Sequence, residues 1–533
     1  MKFKNRVVAV ALATVMALSP AADLLPGTSD IPSEVEAGFE GEGTLQILST
    51  TDLHGQSIAY NYNTASDRST GSLAQAVYLI KQLKKKLKHG ATLIVDSGDD
   101  VYGYGAESLM EGTTSGIEYL FKEMLSVNYD AVTLGNHDFD YGFDYIQKEL
   151  QNSGMKSKVV LANVYHAKTK KPVWAQSKVI TKTLTTTTGV KENVKIGVVG
   201  VTVPSLTTHY DWKDTLSTAD MVSVARVQAD ALKAAGCDIV VVLAHSGIGK
   251  ENPKAGSDNM AYALTKIASV DVVCAGHEHK NFPSNDKNVQ DYYDYSGVDD
   301  ATGLVNGKIL VMEADHGQAV GISRLRLQFY DGRATIASRT VKVRKIKSSD
   351  KSASSIVKMN KEYDKLYATE YKRKVSTSDY ISANYFGMME DIPLLQMVNE
   401  AKIAYGLRMI DEQLDDYKGY PVISAASYQV AGANGSEDYA VIDGTIKKSD
   451  LMKFQPNGQD KVKMFTITGA QLRESLEWEA AGAYDKVGNA GNEDWSDSKM
   501  EILVGRGYNP LLNANWNPLK LLTPVVISSA NVW

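Results

Sequence analysis

Residues 131–142 read AVTLGNHDFDYG. Ala131 to Leu134 are apolar or β-branched, the composition of a short buried strand. Gly135, Asn136, His137, Asp138 and Asp140 come directly after it. A chain that leaves its core and immediately presents an amide, an imidazole and two carboxylates is delivering chemistry to the end of a strand. Similar apolar runs occur at TLQILST (44–50), TLIVDSG (92–98), KVVLANV (158–164), KIGVVGVT (195–202), DIVVVLAHS (238–246), DVVCAGH (271–277) and KILVMEAD (308–315). They are short and almost continuously hydrophobic, as strands covered on both faces are. Helical spacing lies between several of them, in GSLAQAVYLIKQLKKKLKHG (71–90), expected to end at Gly90, and in SVARVQADALKAAG (223–236). This alternation predicts an α/β layered domain over 43–345, with β-sheets flanked by helices.

The residues just past each run are chemically selective. Asp52 and His54 stand after the first, Asp99 after the second, Asn136 and His137 after the third; His245, then His277 and His279, close two later ones. Five of the nine histidines fall in these places, which argues against scattered surface residues. Carboxyl ends of strands in a doubly wound sheet share one edge, and ligands bind there. Carboxylate, imidazole and amide donors without thiolate suit manganese, iron, zinc or cobalt. So many donors exceed the needs of one ion that keeps open positions. They fit two divalent ions sharing a carboxylate, a pair able to stabilise both the attacking and the leaving oxygen of a displacement at phosphorus.

The blocks TDLHG (51–55), SGDD (97–100), LGNHDFDYG (134–142), AHSG (244–247) and AGHEH (275–279) resemble, in order, those of the calcineurin-like metallophosphatases, and GNHDFDYG and TDLHG look like its 5'-nucleotidase branch. DIPLLQMVNEAK (391–402), ISAASYQVAGANG (423–435) and ITGAQLRESLEWEA (467–480) resemble the C-terminal domain of the 2',3'-cyclic-nucleotide 2'-phosphodiesterases in that branch. The resemblance implies that Asp52, His54 and His279 hold one ion, that Asn136, His245 and His277 hold the other, and that Asp99 bridges them. It implies that His137 binds no metal but stabilises the leaving oxygen, oriented by Asp140. Asp96 is expected to hydrogen-bond locally, and Asp100 and Asp138 to support the site from behind or to be solvated. His316, at a strand end outside the five blocks, is not expected to bind metal; His89, His166 and His209 read as loop residues.

The activity implied is hydrolysis of nucleotides, as 2',3'-cyclic esters, 3'-nucleotides or 5'-nucleotides, by metal-activated hydroxide. UDP-sugars or other extracellular phosphoesters remain an alternative substrate class. A metal-binding, non-catalytic nucleotide-binding protein remains an alternative of another kind. Related enzymes hold the base between two aromatic rings of the C-terminal domain, the first usually two residues before an asparagine. Here LMKFQPNGQ (451–459) puts Gln455 at that spacing and Phe454 one place earlier. Asn434, Gly435, Phe454 and Asn457 are the substrate-binding candidates. No counterpart of the second ring is evident, so this domain is expected to be partial or rearranged, over 389–485, with 486–533 outside it. Tyr508, Trp516 and Trp533 are candidates to replace the missing ring.

Composition sets outer bounds. A chain of 533 residues exceeds a single core. With 43% hydrophobic and 23% charged residues it is ordinary for a soluble protein. A net charge of −6 gives no basic field for nucleic-acid polymers. Lys2, Lys4 and Arg6 precede the apolar VVAVALATVMALSPAA (7–22), which reads as a cleaved signal peptide and hence a secreted or periplasmic protein. Residues 23–42 read as a linker. No later apolar run is long enough for a membrane span. Cys237 and Cys274 lie in strand-like runs and are expected to be buried free thiols. Residues 346–388 read as a connecting helix and linker, with Ile356, Met359, Tyr363 and Leu366 helically spaced. Helices are expected at 393–406 and 468–484, a strand at 420–429, and a loop at the threonine run 183–188.

Overall fold

The computed structural model describes residues 38–61, 66–67, 71–101, 118–209, 214–284, 293–299, 301–314, 316–366, 369, 372–379, 381–384, 392–425, 441–454, 462–474 and 525–529. Two mixed sheets flanked by helices, as the alternation predicts, organise the first domain. The five-stranded sheet runs Arg333–Lys345, Ala319–Tyr330, Phe39–Thr50, Gly90–Asp96, Ala131–Val132. Within it Phe39–Thr50, Gly90–Asp96 and Ala131–Val132 are parallel, and Ala319–Tyr330 pairs antiparallel with the first of them. The seven-stranded sheet carries the parallel set Lys191–Thr202, Ile239–His245, Val272–Ala275 and Lys308–Met312. Ser177–Thr185 joins one of its edges in antiparallel pairing, and two short strands close the other edge.

Side-chain alternation explains the continuous hydrophobic runs. Leu45, Ile47, Leu93 and Val95 point between the sheets and meet Val198, Val241, Leu243, Val272 and Cys274. The opposite face of the first sheet sends Leu48, Ile94 and Val132 against Leu73, Val77 and Ile80 of the helix Leu73–Lys86. The outer face of the second sends Val240 and Val242 against Ala225, Ala229 and Leu232 of the helix Met221–Ala234. Helix, sheet, sheet and helix therefore form four layers, and each buried Val, Ile or Leu contributes about 1.5–3 kcal/mol. Both cysteines are buried and free.

Several elements differ from their sequence reading. The first helix stops at Lys86, where Leu87 turns extended; Gly90 instead opens a strand through its pairing with Thr44, so closely that a Cβ would meet the Thr44 carbonyl oxygen at 2.5 Å. KVVLANV makes only one bridge, Val132 to Val159, before the short strand Val164–His166, so His166 is a strand residue. His209 ends the short helix Leu206–His209 rather than lying in a loop. The threonine run is half strand, ending at Thr185, and turns back into Lys191–Thr202. Connecting helix Ser354–Leu366 packs on the first domain: Asn360 Nδ2 donates to Glu123 Oε1 at 3.1 Å and also to Ser57 Oγ. Beyond it, helix Pro393–Gln413 starts with proline in its first turn and runs past Gly406. The strand expected over 420–429 is seen as Val422–Ala425, and 426–429 lie outside the described residues. It pairs with Val525–Ser529, which also pairs with Lys463–Ile467. A strand from the stretch expected to lie outside this domain is thus central to its sheet.

Candidate metal centre

The site is built where the two sheets present their carboxyl ends together. Asp52, Asp99 and Asn136 leave the first sheet; His245 and His277 leave the second. The TDLHG and SGDD loops are laced backbone to backbone. The amides of Asp52, His54 and Gly55 donate to the carbonyls of Gly98, Asp99 and Asp100 at 2.8, 2.9 and 2.7 Å. This lacing holds non-glycine residues in the left-handed region: φ is 51° at Asp52, 46° at His54, 60° at Asp99, 75° at His277 and 54° at His279. Such sparsely populated backbone collects at functional sites, where surrounding bonds over-determine it. Gly135 is required by close approach, since a Cβ would fall 2.1 Å from Asp99 Oδ1 and 2.6 Å from His245 Cε1.

Asp138 buckles these loops together. It is buried, and its Oδ1 accepts the amides of Asp100 and Val101 at 2.9 and 3.0 Å. Its Oδ2 accepts those of Asp99 and Gly135 at 3.0 and 2.8 Å. Of the two readings of Asp100 and Asp138, support from behind or solvation, Asp138 fulfils the first, and both are fully buried. Asp96 hydrogen-bonds locally as expected, to Thr50 Oγ1 at 2.5 Å and the Gly98 amide at 2.7 Å.

Two groups of donors converge. Ligand atoms of Asp52, His54, Asp99 and His279 all lie within 4.8 Å of one another, and so do those of Asp99, His245 and His277. In the first group, His54 Nε2 and His279 Nε2 face each other at 3.1 Å, with Asp52 Oδ1 3.3 Å from the latter. Two imidazole nitrogens and a carboxylate this close together are a donor set that could hold a cation. In the second, His245 Nε2 lies 3.0 Å from Asp99 Oδ2 and 3.2 Å from Asn136 Oδ1. His245 Nδ1–H donates to the Ser97 carbonyl at 3.0 Å, which fixes the tautomer that leaves Nε2 facing the site. The donor set fits divalent metal ions, and only Asp99 belongs to both groups.

Electrostatics agree. Burial raises the Asp99 carboxyl, but His245 and His137 outweigh it and hold the group well below the usual carboxylate range. Asp52 is lowered in the same way by His279 and His245 against its burial. Burial pulls His54 down to about 4, and burial together with His245 lowers His277, so both rings offer a lone pair at neutral pH. His245 feels burial too, but Asp99 raises it to about 9, so a metal there must displace a proton.

Residues 45–281 match the calcineurin-like phosphoesterase family, and 388–503 match the 5'-nucleotidase C-terminal domain. The chain is a calcineurin-like phosphoesterase with a 5'-nucleotidase C-terminal domain. This phosphoesterase is 28% identical over 506 residues to the trifunctional nucleotide phosphoesterase protein YfkN of Bacillus subtilis, covering 90% of this chain and 33% of that protein. It is 26% identical to the 2',3'-cyclic-nucleotide 2'-phosphodiesterase/3'-nucleotidase of Yersinia enterocolitica, over 91% of this chain and 72% of that one. It thus spans a third of the first relative and nearly three quarters of the second. A 5'-nucleotidase precursor from Thermus thermophilus shares the fold, with a TM-score of 0.53 at 17% identity over 91% of this chain and 89% of the other.

Beside the phosphoesterase's donor groups stands His137. Its Nδ1 is 2.8 Å from Asp140 Oδ2, and its backbone amide donates to Asp99 Oδ1 at 2.7 Å. Burial would lower this imidazole, but Asp99 and Asp140 raise it to about 9. The side chains of His137 and His279 are 36% and 40% exposed, which marks the side open to solvent. His316 comes closer than its sequence position suggested: its ring centroid is 5.4 Å from that of His54, and its amide donates to the Asp52 carbonyl at 2.6 Å. Its strand-end position was the available signal. Glu278, which the sequence did not single out, ties the AHSG loop down by accepting the Ile248 amide and the Tyr293 hydroxyl, each at 2.8 Å. His89 Nδ1 meets the Thr186 carbonyl at 3.1 Å, away from the site. Asn434, Gly435 and Asn457 lie outside the described residues, and Phe454 ends the helix Lys448–Phe454 with its side chain outside them. Residues 1–37, with the signal-peptide reading, also lie outside. Among the described residues no helix is long and apolar enough to cross a membrane.

Proposed function

We propose that this chain is an exported, two-metal phosphoesterase that hydrolyses nucleotides, as 2',3'-cyclic esters, 3'-nucleotides or 5'-nucleotides. The observation that carries the reading is Asp99, shared by the four-residue and the three-residue donor groups. Asp52, His54, Asp99 and His279 would hold one ion; Asp99, Asn136, His245 and His277 the other. Divalent ions so held supply Lewis acidity toward the phosphoryl oxygens and lower the pKa of water. His137, its Nδ1–H given to Asp140 and its side chain partly exposed, would meet the leaving oxygen through Nε2 and donate a proton to it. Asp140 keeps that ring in one orientation and favours its protonated form. Nucleotide esters as substrates are supported by the names of the Bacillus and Yersinia relatives, and export by the basic, apolar and small-residue order of residues 1–22.

Metal analysis and a nucleotide panel on one purified sample test this. Wild type should carry two equivalents of divalent metal and lose turnover on chelation. Asp99→Ala and His245→Ala should abolish phosphodiesterase activity and lower bound metal. His137→Ala should keep its metal and lose about 10²- to 10⁴-fold in kcat. Turnover of nitrophenyl phosphodiesters that survives complete chelation would overturn the two-metal reading.

A further inference from the structure

A cavity of about 370 Å³ opens on the loop that follows the His137–Asp140 pair. It is lined by Tyr141, Gly142, Phe143, Asp144, Tyr145 and Thr215. Tyr141 is the chain neighbour of Asp140, so their Cα atoms are only about 3.8 Å apart. The Tyr141 and Tyr145 rings lie 5.3 Å apart at an interplanar angle of 44°. Phe143 is held edge-on by Trp174 and His166, with centroids at 6.0 and 6.1 Å. All three rings pack on the core at one side and are partly exposed at the other. Rings anchored in this way offer a flat apolar face at little cost in entropy, which is what stacking of a planar ligand requires. The volume is that of a small-molecule site. Exposed Asp144 adds a carboxylate that accepts N–H donors at the rim.

We propose that this cavity is a nucleobase subsite supplied by the first domain. The base stacks on the Tyr141–Tyr145 pair, and Asp144 accepts from an exocyclic amino group. The proposal rests on the phosphoesterase reading for its geometry. The link between the two is the chain itself: the cavity-lining residues begin at Tyr141, next to Asp140, whose carboxylate holds the His137 ring. Such a subsite makes base recognition independent of whether Phe454 is correctly placed.

The test uses the full chain and two readouts. Adenosine binding is measured by calorimetry on chelated protein, where phosphate chemistry plays no part. Michaelis constants are measured for adenosine 3'-phosphate and for glycerol 2-phosphate on metal-loaded protein. Tyr145→Ala removes a ring, and Thr215→Trp fills the cavity from an exposed position. Each should weaken adenosine binding and raise the nucleotide KM about 5- to 150-fold, the equivalent of 1–3 kcal/mol of stacking. Tyr145→Phe should restore both. Adenosine affinity and nucleotide KM unchanged in Tyr145→Ala and in Thr215→Trp would overturn the subsite. Wild type that hydrolyses nucleotides with a base preference untouched by the variants would refute the subsite and leave the proposed function intact. Adenosine binding that the variants weaken, in a protein that turns over no phosphoester, would uphold the subsite and refute the function.

Discussion

Replacing Asp138 by asparagine changes one atom and should loosen the whole metal edge. Each carboxylate oxygen of Asp138 accepts two backbone amides, at 2.8 to 3.0 Å. An asparagine keeps one acceptor oxygen and turns a donor NH₂ toward the other pair, whichever way it rotates. Two buried amides therefore lose their acceptor, at about 1–3 kcal/mol each, or 2–6 kcal/mol together. At roughly 2 °C per kcal/mol for a domain of this size, melting should fall by about 4 to 12 °C. The pair so released is either Asp99 with Gly135, which frees the backbone of the residue shared by both donor groups, or Asp100 with Val101, which frees the two residues that follow it. Metal affinity should fall about 10- to 100-fold, as for other losses of support behind a ligand. Burial and Asp99 push Asp138 up to about 7 against its four amide donors, so the comparison belongs at pH 8, where the carboxylate form dominates. Thermal melting with and without added divalent metal, and metal titration under competition, supply both numbers. An Asp138→Asn protein that melts within about 1 °C of wild type and binds metal equally well would refute the clamp.

The same geometry fixes other outcomes. Gly135→Ala places a Cβ 2.1 Å from Asp99 Oδ1, and metal content measured on whatever folds should drop below one equivalent; normal loading would show that the two loops can separate. Glu123 is buried, and burial raises its carboxyl from 4.5 to about 7 in spite of Ser57 and Asn360. The folded chain therefore binds this proton more tightly than the unfolded chain. Its contribution is complete below pH 4.5 and lost as pH rises toward 7, by about 3 kcal/mol at 1.36 kcal/mol per unit. Denaturation curves of Glu123→Gln should lack that part of the decline; an unchanged pH profile would refute the assignment. N-terminal sequencing of native protein should find a start near residue 22 to 28, and Met1 retained would contradict export by signal peptide.

Much of the site is legible in the sequence, because its signals are local. A β-branched run that ends in Asp, His or Asn names both a strand and what leaves its end. Asp52, His54, Asp99, His245, His277 and His279 fall into the donor groups that the block resemblance implied. Helix signals are local too, as with Asp220, whose side chain caps the helix Met221–Ala234 by accepting the Ser223 amide at 2.8 Å. Boundaries are poorer where a distant contact decides them: Gly90 opens a strand because of Thr44, and the threonine run is strand only through its pairing with Lys191–Thr202.

By itself the sequence determined which side chains stand at strand ends and which chemistry they can perform, since residue type and period-two alternation are properties of the chain within a few residues. Tertiary structure alone decided that the candidate donors come from two sheets, with Asp52, Asp99 and Asn136 on one and His245 and His277 on the other. It alone turned Asp138 into a four-amide buckle, brought His316 beside His54, and opened an aromatic cavity next to Asp140. The reason is physical. Stacking two sheets and lacing their loops depends on pairings between segments far apart in the chain, and no local pattern encodes which loop will lie against which.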